Sequence, residues 1–335
     1  MFDIRDLVNT IEEIVARHNL GTGGAYRRWN WQDEQGGRDL GLNPYGCADA
    51  ANILYTIGHF PGNPEKRGRW IETLQGLQDR ESGFFHEPTH HEIHTTAHCI
   101  AALELFDARP PHALRSLAPL RNVAKMTDFL ENLDWKENPW SASHQGAGIY
   151  VALVLDDEVS FAWQEAYFSW LWEAWDPASG FLRKGCVAPV PHGDSVSIFP
   201  HLAGTFHYLF NHEYARRPLR YPKAMVDSCL EIWNRQLYPL GRRVGFAEID
   251  WIYCLTRSLR QTGHRFADCQ EALTDFAERY VPYLQGLDKE NDEGLNDLHS
   301  LFGSVCALAE LQRALPGTIL TERPLKLVLD RRPFI

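Results

Sequence analysis

Six residues that can give, take or relay a proton recur along the chain at nearly even spacing: Tyr45, His94, His144, His201, Asp250 and His299. Successive intervals are 49, 50, 57, 49 and 49 residues. Each stands near the start of a stretch that turns small and apolar, as in His94-Thr95-Thr96-Ala97 and His201-Leu202-Ala203-Gly204. Packing alone would favour Leu, Val or Ala at equivalent positions, so the set points to a shared site. A helix N-terminus disfavours imidazolium. Neutral imidazoles near their working pH suit proton transfer. Asp250 is the first expectation for general acid or base, with His144, His201 and His94 beside it. Tyr45, Trp140 and His299 are expected to position substrate. One helical turn deeper, Asp49 and His98 face the same way and join the binding set.

The segment Pro191-His192-Gly193-Asp194 precedes the fourth of these positions, so His192 and Asp194 are expected over the same mouth. Asp194 and Asp250 form a candidate carboxylate pair of the kind glycoside hydrolysis uses. His94 and His98 have the i,i+4 spacing of a metal-binding pair, but no third ligand is apparent. No metal or cofactor is therefore expected. Cys47 lies two residues after the first position and is a candidate nucleophile or a buried small residue. Trp29, Trp31 and Trp140 lie in polar loops where indole faces can stack on sugars. There is no G-x-S-x-G, P-loop or G-x-G-x-x-G motif.

Positioning six such groups around one mouth requires a repeated scaffold. A period near 50 residues is that of a helical-hairpin array, in which each unit buries its face against its neighbours. Inner helices are expected over roughly 45–58, 93–106, 144–156, 200–212, 248–261 and 298–314. Outer helices are expected over 3–18, 64–78, 112–133, 158–175, 222–236 and 266–284. In the first, Ile4, Leu7, Ile11, Ile14 and Val15 mark one face. Twelve alternating helices make an all-α (α/α)6 barrel, read as one domain over 1–335. The tail from 316 to 335 reads as extended. Asp79-Arg80-Glu81-Ser82-Gly83-Phe84 and Asp176-Pro177-Ala178-Ser179-Gly180-Phe181 repeat D-x-x-S-G-F, read as a structural turn with a core-plugging Phe.

The 335 residues are 44% hydrophobic and 23% charged, an ordinary globular composition. A net charge of −11 opposes binding to nucleic acid or anionic membrane. Asp3, Arg5, Asp6, Glu12 and Glu13 interrupt any apolar leader at the N-terminus, and no apolar run reaches membrane-spanning length. Seven cysteines without a CxxC pair fit reduced thiols, hence a cytoplasmic protein.

The run Leu77-Gln78 through Gly83-Phe84-Phe85, then Thr95-Thr96-Ala97-His98 to Ala102-Leu103-Glu104-Leu105, resembles the repeat unit of α/α toroid proteins. The six-hairpin glycosidase-like group of hydrolases, lyases and epimerases shares this architecture. So does the terpenoid cyclase and protein prenyltransferase group. The latter's glutamine-to-tryptophan motif is not matched, because Gln78 leads to Gly83 and Phe84. Asp297-Leu298-His299 resembles the last part of a prenyltransferase zinc motif, but the upstream Asp-x-Cys is replaced by Cys47-Ala48-Asp49. The resemblance implies a carbohydrate hydrolase, lyase or epimerase acting on a small molecule or oligosaccharide. An isoprenoid enzyme and a non-catalytic binding toroid are the alternatives.

Overall fold

The computed structural model describes residues 1–187 and 198–334, so His192 and Asp194 lie outside the described residues. The protein is mostly helical. In chain order the helices are α1 (Arg5–His18), α2 (Pro44–Thr56), α3 (Pro64–Gly76), α4 (Glu92–Glu104), α5 (Val123–Glu131), α6 (Pro139–Leu155) and α7 (Phe161–Ala174). They continue with α8 (Phe199–Tyr214), α9 (Pro222–Asn234), α10 (Ala247–Leu259), α11 (Phe266–Gln285), α12 (Glu293–Asn296), α13 (Leu298–Ala314) and α14 (Val328–Arg331). A 3₁₀ turn at Arg115–Arg121 precedes α5, so the outer helix expected over 112–133 is a 3₁₀ segment followed by a shorter α-helix. Pro119 lies inside that segment, and a proline cannot donate to a regular α-helical ladder.

Helix starts follow local chemistry. Asn43 and Asn63 each accept hydrogen bonds from the two backbone N–H groups beyond the proline that follows, and Asp297 accepts from His299 N. A capping side chain satisfies N–H groups that have no partner inside the helix, and proline at the first helical position has none to lose.

Six helices are buried nearly all round. Every residue of α2 from Pro44 to Ile53 is buried, as is every residue of α4 from Ile93 to Leu103. The others, by contrast, bury one stripe: α1 buries Ile11, Ile14, Val15 and His18, and α3 only Trp70 and Leu74. The buried helices pack in sequence, α2 on α4, α4 on α6, α6 on α8, α8 on α10 and α10 on α13. α13 packs on α2, so the order returns to its start.

Glycines set how closely these helices approach. A Cβ on Gly303 of α13 would lie 2.6 Å from the Gly245 carbonyl oxygen, and one on Gly204 of α8 would lie 2.8 Å from the Pro139 carbonyl oxygen. Both obstacles are backbone and cannot swing aside. The two D-x-x-S-G-F turns are structural. Asp79 and Asp176 each accept from the backbone N–H and hydroxyl of the serine three residues on. Gly83 and Gly180 have φ of +82° and +74°, and Phe84 and Phe181 are buried. The next backbone N–H in each donates to a threonine on a buried helix, Phe85 to Thr96 and Leu182 to Thr205.

The C-terminal segment is not simply extended. Strand β2 (Ile319–Leu320) pairs in parallel with β1 (Phe2–Asp3), α14 follows, and Arg332 and Phe334 are fully buried. Arg257 of α10 ties α13 and α14 together through Glu310 and Asp330, at 2.5 and 2.8 Å. Among the described residues no helix is long and apolar enough to cross a membrane.

Two predictions follow from the packing. Gly303→Ala should lower unfolding free energy by about 1–3 kcal/mol in a denaturant titration, the usual cost of overpacking. His18 and His212 are buried, and burial pushes both down to about 4 from 6.5. The unfolded chain therefore takes up protons first as pH falls. Their stabilising effect, about 3 kcal/mol each, is complete above pH 6.5 and is lost as pH falls toward 4. His212 is buried against the Arg217–Pro218 backbone, so His212→Leu should flatten the slope of stability against pH in that window.

Candidate functional site

Helices α4, α6, α8, α10 and α13 carry polar residues into one cavity of about 200 Å³. Its lining includes His90, His94, His144, His207 and His299, with Asp250, Arg28 and Asp297. Phe246 and Trp140 complete the apolar part, and Trp140 is 44% exposed, at the rim. Of the expected residues, His94, His144, Asp250, His299 and Trp140 thus line one space.

Tyr45 and Asp49 sit directly behind this lining on α2. The Tyr45 hydroxyl meets His94 Nδ1, and its ring stacks on His90 with centroids 4.4 Å apart. Asp49 Oδ1 accepts from His98 Nε2 at 2.8 Å and from His299 Nδ1 at 3.2 Å. Arg332 donates to His98 Nδ1 at 3.0 Å. His98 therefore has both nitrogens engaged, one accepting and one donating, as a neutral imidazole should. Burial pushes it down to about 3, so its share in the contact is an N–H hydrogen bond rather than a charge. Burial alone would raise the Asp49 carboxyl, but the His299 and His98 imidazoles outweigh it and hold it below the usual carboxylate range.

His94 and His98 do not converge on a common point. Their rings are 6.5 Å apart, and each belongs to a different cluster, His94 with His144 and His207, His98 with Asp49 and His299. Burial, reinforced by the neighbouring imidazoles, holds His94 and His144 well below 6.5, and burial brings His207 down to about 3. Asp250 shows the opposite shift. The residue is 1% exposed, neither carboxylate oxygen has a hydrogen-bond partner among the described residues, and burial followed by the Glu248 charge raises it well above 3.8.

Two of the candidate residues are placed away from the cavity. His201 does not line the cavity. Its Nδ1 lies 3.2 Å from the Leu182 carbonyl oxygen, where it fastens the second D-x-x-S-G-F loop. The α8 residue that reaches the cavity is His207, six positions on. At 3.6 residues per turn, six positions rotate a side chain by about 240°, so the two cannot face the same way. Cys47 lies outside the cavity lining. It is fully buried against the Tyr26 carbonyl, and burial pushes its thiol up to about 12.

Three contributors had no spacing signal. Arg28 comes from the loop before α2 and grips both oxygens of Asp297, at 2.8 and 3.0 Å, and Thr89 at 2.7 Å. His90 comes from the loop before α4. Phe334 packs against His94 and His207, with centroids 5.0 and 5.8 Å away, and so backs the cavity.

No protein-family profile, curated protein or solved structure matches the chain.

Asp49 is the acceptor on which two imidazoles depend, and removing it leaves buried donors without a partner. Asp49→Ala should lower unfolding free energy by about 3 kcal/mol or more, read by chemical denaturation. A loss below about 1 kcal/mol would show that the network adds nothing to stability.

Proposed function

We propose that the chain is a single-domain (α/α)6 toroid with an acid–base enzyme site at its mouth, acting on a carbohydrate. The return of the helix packing order to its start supports the ring. The single observation that carries the enzymatic reading is Asp250. Its unpartnered carboxyl shares one cavity with five imidazoles, and a folded chain retains such a buried, unsatisfied group at a cost. In this reading Asp250 exchanges a proton with substrate, and a cavity imidazole, His299, serves as its counterpart. Trp140 at the rim offers an indole face for a sugar ring.

Among the described residues the carboxylate supply leans toward elimination or epimerisation, while an Asp194–Asp250 pair would suit hydrolysis. Asp297 also lines the cavity, but both of its oxygens are held by Arg28. Among the described residues that leaves Asp250 with a free carboxyl group where glycoside hydrolysis ordinarily uses two, and Asp194, the other candidate, lies outside them. Proton removal and return at a sugar carbon need only one base and one acid, which an imidazole and Asp250 supply. The cavity is smaller than the roughly 300–1,000 Å³ of drug-sized sites, which suits one sugar unit or the end of a chain.

The test begins with a thermal-shift screen of neutral sugars, saturated uronates and unsaturated uronates, followed by turnover assays on those that bind. Asp250→Asn should lower turnover about 10²–10⁴-fold with little change in melting temperature. Retained turnover would remove Asp250 from the chemistry. Binding of sugars without turnover would make the chain a carbohydrate-binding toroid.

A further inference from the structure

Within the cavity, the three histidines on consecutive buried helices form a unit of their own. His94 on α4, His144 on α6 and His207 on α8 each offer a ligand atom, and these atoms all lie within 4.8 Å of one another. The ring centroids of His94 and His144 are 4.1 Å apart, and those of His144 and His207 are 4.7 Å apart. No hydrogen bond joins any two of the three. Imidazoles crowded this closely without bonding one another lack a common partner.

Two of the three have a second ring nitrogen anchored. His207 Nδ1 lies 3.1 Å from the Ala203 carbonyl oxygen and 3.1 Å from Ser143 Oγ. A donor bond to that carbonyl places the hydrogen on Nδ1 and leaves the Nε2 lone pair free. His94 Nδ1 is met by the Tyr45 hydroxyl. Metal-binding histidines characteristically use one ring nitrogen in this way, which fixes the ring and directs the other nitrogen at the ion. The three side chains also stand on helices rather than loops, which holds their geometry.

A second observation points to the same place. Asp250 lines this cavity with both oxygens buried and unpartnered. A nearby cation, or a water bound to one, supplies the partner that the protein does not. The neighbouring Asp49, His98 and His299 cluster differs in this respect. The Arg332 guanidinium caps His98 Nδ1, Asp49 holds the other nitrogen, and a positive side chain already occupies the surroundings. Hydrogen bonds join the members of that cluster, although Asp49 Oδ2 and Arg332 Nε and Nη1 are left without a partner, whereas no bond joins the three histidines of the first.

We propose that His94, His144 and His207 bind one divalent transition-metal ion of the zinc type, with a further coordination position open to the cavity. Three imidazoles without thiolate or carboxylate suit zinc, cobalt, nickel or copper rather than magnesium or calcium. An open position is the mark of a catalytic rather than a structural zinc site. The inference shares the cavity of the acid–base reading but not its substrate, and metal content and sugar turnover are measured separately.

The full chain, stripped with chelator, would be titrated with zinc by calorimetry, and its retained metal counted after dialysis. One ion per chain is expected, with binding weakened at least about 100-fold in both His144→Ala and His207→Ala. His86→Ala, at an exposed histidine, should change nothing. Failure of the unaltered chain to retain zinc overturns the proposal. So does binding that survives both cavity substitutions, or that is lost in His86→Ala. Should the alanine variants fail to fold, the cobalt-substituted unaltered chain decides. Intense visible bands of a four- or five-coordinate ion support the site, and the pale spectrum of hydrated cobalt overturns it. Sugar turnover that persists in metal-free protein would leave the acid–base reading standing without the ion.

Discussion

The approach of the buried helices to one another at their N-terminal ends is the constraint on which the rest depends. Gly204 against the Pro139 carbonyl, and Gly303 against the Gly245 carbonyl, permit backbone contact where any side chain would force the helices apart. Alanine, glycine, threonine and cysteine recur along these helices, as in α2 and α4. Large and charged side chains are buried on them as well, among them Tyr150, Tyr208, Trp251 and the Arg257–Glu310 pair. His94, His144, His207, Asp250 and His299 are directed into the cavity.

Confinement raises the cost of every polar group and makes its partners informative. Arg28 is matched by Asp297 and Thr89, and Arg257 by Glu310 and Asp330. His98 is matched by Asp49 and Arg332. Asp49 Oδ2, Glu248 Oε2, Arg257 Nε and Arg332 Nε and Nη1 are also buried without a partner, but each of these groups has another atom engaged. Asp250 differs in that, among the described residues, neither of its oxygens is bound.

Much of this was legible in the sequence. The regular interval located the buried helices to within a few residues, except at α6, which begins at Pro139 rather than near 144. It also brought four of the six marked residues to the cavity lining and a fifth, Tyr45, behind it. The D-x-x-S-G-F turns read correctly because their Asp, Gly and Phe each have one local job. The interval failed at α8. There the spacing stretches to 57 residues and a histidine of the right type falls at the wrong rotation. A count made along the chain does not record which way a side chain points. Arg28 and Asp297, 269 residues apart, and the tail that delivers Arg332 and Phe334, are tertiary pairings without periodicity to betray them. His192 and Asp194 fall outside the described residues.

The packing of α13 on α2 joins the latest of the buried helices to the earliest, and bonds across that seam belong to the site. Asp49 to His299 spans 250 residues, and Arg28 to Asp297 spans 269. Closing so long a loop costs entropy that neighbouring hairpins never face, although the cost grows only with the logarithm of length. Opening the seam breaks the Asp49–His299 and Arg28–Asp297 bonds, while Asp49–His98 and Arg28–Thr89 lie on one side of it. Local exchange of backbone amides in α2 and α13 consequently reports on the site more directly than does the global melting of the molecule.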